Sequence, residues 1–176
     1  MELRVLTVGD VVGPAGVAFL GKRLRALKRE KHIGFCIVNG ENASMVGMTP
    51  AQAEAIFDAG ADVITLGNHI WNRREIIPYL EDSVYVLRPA NVAPQLPGIG
   101  FHVYDTAAGP LAVVNLLGRC GMDFGPDNPF LLAEKLLKQL GTRRILVEIH
   151  AEATSEKLAM GYMLDGRVSA VYGTHT

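Results

Sequence analysis

Cysteine and long apolar runs are both scarce in this sequence. Only 2 of the 176 residues are cysteine, and Cys36 and Cys120 do not have the spacing of a metal site. No apolar run approaches the roughly 18–20 residues of a membrane span, and Glu2 and Arg4 interrupt the start that a signal peptide would need. These features predict a cytoplasmic protein with reduced thiols and no membrane partner.

An excess of either charge is also lacking. The chain carries 17 Lys and Arg residues against 18 Asp and Glu residues, so its net charge is −1. No overall field therefore favours a nucleic acid or an anionic membrane, and a phosphate-bearing substrate would need a local site. The composition is that of an ordinary globular protein. We expect one domain over residues 1–176, with a core of its own.

What is present is an alternation of short apolar strands with helices. Strands are expected at residues 3–8, 33–38, 61–66, 145–149 and 168–172, with a hairpin formed by residues 101–104 and 111–116. Helices are expected at residues 14–31, 50–59, 72–79, 129–140 and 154–164. Pro78 should end the third of these early. The long Pro/Gly-rich loop over residues 88–100 is a candidate lid or rim. The alternation predicts an α/β fold with a mostly parallel sheet covered on both faces.

Polar residues follow each of the five isolated strands. In parallel sheets, ligands bind beyond the carboxyl ends of the strands, so these residues should meet at one edge. The set includes three of the five histidines, whereas His32 and His102 lie outside the pattern. The five strand ends provide Asp10, Glu41 with Asn42, Asn68 with His69, His150, and His175.

Carboxylates, amides and imidazoles together are typical ligands of transition metals. Two divalent metals about 3.5–4 Å apart need a bridging carboxylate, for which Glu41 is the natural candidate. A hydroxide shared by the metals would be a nucleophile near neutral pH. His69 could donate a proton to a leaving alkoxide or stabilise the transition state. Structural roles are the alternative: a turn for Asp10, a helix-dipole partner for Glu41, and hydrogen-bonded strand caps for His150 and His175.

Six segments of the sequence resemble one known family. They are Gly9-Asp10-Val11-Val12-Gly13, Asn39-Gly40-Glu41-Asn42-Ala43, Gly67-Asn68-His69-Ile70-Trp71, Arg88-Pro89-Ala90-Asn91, His150-Ala151-Glu152-Ala153-Thr154-Ser155-Glu156-Lys157 and Gly173-Thr174-His175-Thr176. The chain resembles the YmdB-like family of bacterial calcineurin-like metallophosphoesterases. The resemblance implies an α/β/β/α sandwich with two divalent metal ions, usually iron, manganese or magnesium. It also implies a cytoplasmic homo-oligomer that hydrolyses small phosphodiesters such as 2′,3′-cyclic AMP.

The resemblance also assigns roles to residues. Asp10 would hold one metal, Glu41 would bridge, and Asn42 would complete the shell of the first metal. The second metal would be held by Asn68, His150 and His175, with His69 as the catalytic imidazole. Val12 replaces a histidine of the wider superfamily, as it does in the YmdB-like branch.

The family continues beyond the segment matched by residues 173–176. It has a further metal-binding histidine and further strands of the second sheet. We therefore expect a truncated or partly recorded chain that lacks the C-terminal part of this sheet. The first metal should then bind weakly, and the hairpin over residues 101–116 should keep an unpaired edge.

Other functions stay open at this point. One is a non-catalytic regulatory protein that binds a nucleotide or a partner on the same fold, and another is a phosphomonoesterase. A nucleic acid is disfavoured as a stable partner, because no Lys/Arg cluster lies near the five strand-end motifs except Arg73, Arg74 and Arg88. Arg88 or Asn91 is expected to reach the substrate, with a structural turn as an equally weighted alternative.

Overall fold

The computed structural model of the protein describes residues 2–123 and 125–176. Within them lie eight strands, five α-helices and a 3₁₀ turn at Arg74–Ile76. The strands are β1 (Val5–Val8), β2 (Phe35–Asn39), β3 (Val63–Thr65), β4 (Val86–Leu87), β5 (Phe101–Tyr104), β6 (Leu111–Leu117), β7 (Ile145–Ala151) and β8 (Ala170–His175). The helices are α1 (Gly13–Glu30), α2 (Pro50–Ala59), α3 (Ile77–Asp82), α4 (Pro129–Leu137) and α5 (Thr154–Leu164).

The first sheet is fully parallel, in the order β1-β2-β3-β4. Its register aligns Val8 with Val38, and Asn39 with Thr65. The carboxyl ends of β1, β2 and β3 therefore meet at one edge. Every residue of β2 is buried, as expected for a strand whose two faces are both covered.

The second sheet is mixed, in the order β5-β6-β7-β8. β5 and β6 form the antiparallel hairpin that the sequence predicts, and β6, β7 and β8 run parallel to one another. The register places Ala151 opposite His175. The outer strands of this sheet, among the described residues, are β5 and β8.

Three apolar clusters separate four layers. One lies between the first sheet and helices α1 and α2, and another lies between the second sheet and helices α4 and α5. The third joins the two sheets, where Ile37 and Leu87 pack with Val113 and Leu146. The α/β/β/α sandwich implied by the resemblance is confirmed. The single sheet predicted from the alternation is replaced by two, because each sheet buries one face against helices and the other against its partner.

The helix-end signals in the sequence are mostly confirmed. Thr49 caps α2 through a reciprocal pair of hydrogen bonds with Gln52, and Gly60 ends that helix with a φ of 116°. Asn128 caps α4 by accepting from the N–H groups of residues 130 and 131. The prediction for Pro78 is wrong. It lies in the first turn of α3, where a missing N–H costs no helical hydrogen bond, so it starts the helix instead of ending it.

The segment around residues 86–100 differs in part from the prediction. Two residues, Val86 and Leu87, form the short strand β4, which has too little sequence pattern to be recognised. The loop that follows is anchored by a bridge between Leu87 and Ile99. No helix in the described part of the chain is long and apolar enough to cross a membrane.

Candidate metal centre

The polar residues at the strand ends meet where the two sheets face each other. Asp10 and Glu41 follow β1 and β2 of the first sheet, while His150 and His175 lie at the carboxyl ends of β7 and β8. Glu41 Oε2 lies 2.6 Å from His150 Nε2, and the backbone N–H of His175 donates to Asp10 Oδ2 at 2.8 Å. The cluster therefore joins the two sheets. This is expected, because the carboxyl ends of the parallel strands of both sheets lie at the same edge of the sandwich.

The Nε2 atom of His150 is the centre of this cluster. Besides Glu41 Oε2, it lies 3.1 Å from Asn68 Oδ1 and 3.1 Å from His175 Nδ1. The His150 side chain is fully buried, and Asn68 is 7% exposed. An imidazole nitrogen carries at most one proton, so it cannot satisfy three surrounding acceptor atoms at once.

Glu41 is a buried carboxylate that contacts residues from three strand ends. Its Oε1 accepts the backbone N–H of His69 at 2.6 Å, and Asn39 Oδ1 accepts the backbone N–H of Glu41 at 3.1 Å. Burial raises the pKa of Glu41, but contacts with His150 and His69 outweigh burial and lower the pKa below its ordinary value. Glu41 therefore remains charged near neutral pH.

His175 is held by acidic groups from two sides and adopts a strained backbone. Its φ is 80°, which is uncommon for a residue other than glycine and is typical of functional sites. Its Nε2 lies 3.0 Å from Glu152 Oε2. Because a carboxylate oxygen accepts, this contact places the proton on Nε2 and presents the Nδ1 lone pair to His150.

His69 differs from His150 in its exposure and its contacts. Its side chain is 33% exposed, whereas that of His150 is fully buried. Nδ1 of His69 lies 3.2 Å from Asn42 Oδ1 and 3.4 Å from Glu41 Oε1. Among the predicted metal ligands, Asn42 is thus connected to the cluster through His69.

Gly67 allows the backbone between β3 and Asn68 to pass close to the cluster. A Cβ atom at this position would lie 2.5 Å from Glu41 Oε2 and closer still to His150 Nε2. Only glycine leaves room for these side chains to converge.

Two buried oxygen atoms in the cluster have no hydrogen-bond partner among the described residues: Asp10 Oδ1 and Glu41 Oε2. The latter lies near His150 Nε2 but outside hydrogen-bonding geometry. One ligand atom from each of Glu41, His150 and His175 lies within 4.8 Å of the others. Unprotonated acceptors at these separations repel one another, and a cation would satisfy them. The donor set fits a divalent metal.

A second layer of polar residues supports the cluster and was not predicted from the sequence. Glu148 is fully buried and accepts from Asn39, Thr174 and Tyr172. Burial, and then Glu148, raise the pKa of Tyr172 well above its ordinary value, so its hydroxyl stays protonated and donates. One signal for this layer was in the sequence, because a glutamate within the apolar run of β7 requires buried partners.

Arg88 and Asn91 are occupied by the backbone around their loop. The Arg88 guanidinium donates to the carbonyls of Gly98 and Pro89. The Asn91 amide donates to the carbonyls of Leu117 and Asp127, and its oxygen accepts the N–H of Leu117. Both side chains are buried. These contacts favour the structural alternative over a contact with substrate.

Comparison with known proteins identifies the family. The profile of YmdB-like proteins matches residues 6–176. The chain belongs to the YmdB-like family. A 2′,3′-cyclic-nucleotide 2′-phosphodiesterase of Bacillus subtilis is 42% identical over an alignment 179 residues long, which covers 99% of this chain and 67% of that protein.

Two solved structures share the fold of this YmdB-like chain. A hypothetical protein from Thermus thermophilus matches with a TM-score of 0.93 and 40% identity, over 99% of this chain and 68% of that one. A structure described as a novel phosphatase from Mycoplasma pneumoniae matches with a TM-score of 0.93 and 30% identity, over 100% of this chain and 65% of that one. The chain thus spans about two thirds of the length of these relatives.

Proposed function

We propose that this YmdB-like protein is a metal-dependent phosphodiesterase that hydrolyses small phosphodiesters, with 2′,3′-cyclic nucleotides as the substrate class. The name of the Bacillus subtilis relative supports the substrate class, and the family supports phosphoesterase chemistry. One observation within the structure carries the proposal. Three acceptor atoms approach His150 Nε2 within 3.1 Å, in a site with too few protons to satisfy them.

The ligands divide between two cations. Asn68, His150 and His175 would hold one, Asp10 and Asn42 would hold the other, and Glu41 would bridge. Iron, manganese and magnesium are the candidate metals. When bound, such cations activate water for attack and neutralise charge on the phosphate oxygens. The unsatisfied oxygens of Asp10 and Glu41 support this assignment.

His69 is proposed as the group that gives a proton to the leaving oxygen. The atoms nearest its Nδ1, Asn42 Oδ1 and Glu41 Oε1, both accept, so Nδ1 carries a proton. To act as a general acid, His69 would be the imidazolium, whose second proton on Nε2 passes to the leaving oxygen. The partial exposure of His69 lets a substrate reach it, which the full burial of His150 does not.

The test measures metal content and hydrolysis on the same protein samples. Metal-free protein is reloaded with Mn²⁺ or Fe²⁺, the bound metal is counted by mass spectrometry, and turnover is measured on 2′,3′-cyclic AMP and bis-p-nitrophenyl phosphate. His32→Asn is a suitable control, because His32 is exposed, lies outside the cluster and has a positive φ that asparagine tolerates. We expect two metals per chain at saturating metal, with one bound more weakly than the other, and turnover of both substrates.

Other results would support other functions. Faster turnover of p-nitrophenyl phosphate would favour a phosphomonoesterase, in line with the description of the Mycoplasma pneumoniae structure. Bound metal without turnover on any of these substrates would favour the regulatory protein. Assembly into a homo-oligomer stays a prediction, which light scattering on the purified chain checks.

A further inference from the structure

We propose that Glu148 and Thr174 form a positioning pair that fixes His150 as the tautomer with its proton on Nδ1. This tautomer leaves the lone pair of Nε2 directed at the metal centre. The inference deepens the proposed function and rests on its assignment of His150 as a ligand. Neither Glu148 nor Thr174 would bind the metal itself, since both act through His150.

The Glu148 carboxylate is fully buried and surrounded by donors. Its Oε1 accepts from Thr174 Oγ1 and from Asn39 Nδ2, each at 2.7 Å, and its Oε2 accepts from the Tyr172 hydroxyl at 2.8 Å. A buried carboxylate with three donors is well satisfied, and these donors hold it in one orientation.

The direction of these hydrogen bonds fixes the position of a proton. A threonine hydroxyl has one hydrogen, and Thr174 directs it to Glu148. Thr174 Oγ1, which lies 2.9 Å from His150 Nδ1, must therefore accept from that nitrogen. A neutral imidazole with its proton on Nδ1 has a bare Nε2, which is the form that binds a metal.

The opposite arrangement is less consistent with the contacts. If the Thr174 hydroxyl donated to His150 Nδ1, Glu148 would lose one of its two donors on Oε1. His150 Nε2 would then carry a proton into the space between Glu41, Asn68 and His175, where it would exclude a cation. The Glu148 carboxylate therefore opposes the tautomer that would block the site, against the pull of Glu41 Oε2, which lies 2.6 Å from Nε2.

Glu148 is also linked to the ligand from the other sheet. Asn39 donates through Nδ2 to Glu148 and accepts the backbone N–H of Glu41 through Oδ1. A single carboxylate between the sheets thus orients His150 from β7 and the backbone of Glu41 after β2. Such supporting hydrogen bonds typically change metal affinity by about 10–100-fold.

The test reads the tautomer directly in metal-free protein. Protein labelled with ¹⁵N at histidine is examined by long-range ¹H–¹⁵N correlation at mildly alkaline pH, and His150→Asn assigns the signals of His150. We expect the Nδ1–H tautomer in the unmodified chain and in Thr174→Ser, which keeps a hydroxyl. Thr174→Val is nearly isosteric but has no hydroxyl. It should lose the preference for this tautomer and bind Mn²⁺ about 10–100-fold more weakly.

Three results would overturn the proposal: an Nε2–H tautomer in the unmodified chain, an unchanged tautomer in Thr174→Val, or equal losses in Thr174→Ser and Thr174→Val. Glu148→Gln provides a second test, since its amide can donate to Thr174 and should shift His150 towards the Nε2–H form. If Glu148→Gln does not fold, the comparison of Thr174→Ser with Thr174→Val tests the proposal by itself. Because the tautomer is measured without metal or substrate, a chain that lacks phosphodiesterase activity still tests this proposal.

Discussion

The carboxylate of Glu41 accepts the backbone N–H of His69 at 2.6 Å. This hydrogen bond joins the loops that follow two neighbouring parallel strands, β2 and β3. It places His69 beside the metal centre through the backbone, and the imidazole takes no part in it. A substitution can therefore remove the imidazole and leave this hydrogen bond intact. The prediction for His69 below depends on that intact hydrogen bond.

Replacing Glu41 with glutamine should remove metal from both positions. The change keeps the size of the side chain but removes the charge that is shared between the two proposed cations. We expect each metal affinity to fall by at least about 10-fold, measured as bound metal and as loss of the Mn²⁺-induced increase in melting temperature. Glu81→Gln, at an exposed glutamate, is the matched control. Loss of only one metal would rule out a bridging role.

Replacing His69 with alanine should lower turnover and leave the metal content nearly unchanged. Alanine keeps the backbone N–H that donates to Glu41, so the carboxylate stays in place. Loss of a general acid lowers the rate by about 10²–10⁴-fold. Turnover of 2′,3′-cyclic AMP and bound metal are measured in parallel, with His32→Asn as the control. An equal loss of metal would make His69 a ligand or a structural residue.

Replacing Gly67 with alanine should weaken both the fold and the metal centre. The new methyl group would lie 2.5 Å from Glu41 Oε2 and nearer to His150 Nε2, so one of the three must move. We expect the free energy of unfolding to fall by about 1–3 kcal/mol, and Mn²⁺ binding to weaken as well. Gly9→Ala is a close control, because Gly9 precedes Asp10 and a Cβ atom there meets nothing within 4 Å. Similar losses in both variants would argue against a steric cause.

Asn115 should stabilise the contact between the two sheets. Its side-chain amide, on β6, donates to the carbonyls of Leu66 and Leu87 in the first sheet, at 2.6 and 2.9 Å. Asn115→Leu keeps a similar volume but removes a donor from both carbonyls, and among the described residues only the Leu87 carbonyl keeps another, the N–H of Leu66. It should lower the free energy of unfolding by about 1–3 kcal/mol. Urea denaturation checks this, with Asn72→Leu at an exposed position as the control. Equal stability of the two variants would refute the role of the amide.

The two thiols should differ sharply in reactivity. Cys36 is fully buried, and burial raises the pKa of its thiol to about 12, while Cys120 is exposed. Because the thiolate is the reactive form, a thiol reagent should modify Cys120 quickly and Cys36 only after unfolding. Cys120→Ser should abolish the fast reaction. Fast modification of two thiols per native chain would contradict the buried position of Cys36.

The sequence by itself determined the elements of the fold and the chemical types of the site. The apolar run of β2, the capping residues of α2 and the polar residue after each strand are local signals, which depend on the hydrophobic period and on turn chemistry. The sequence could therefore name five candidate site residues in advance: Asp10, Glu41, Asn68, His150 and His175.

Only the tertiary structure decided how those residues meet. Strand pairing and sheet packing join residues far apart in the chain, such as Asp10 with His175 and Asn39 with Glu148, and no local pattern specifies such pairs. For the same reason, the sequence did not reveal that β4 exists, that Pro78 begins a helix, or that Asn91 bonds to the backbone. Each of these depends on partners supplied by another part of the fold, because hydrogen bonds in a buried site are set by three-dimensional proximity.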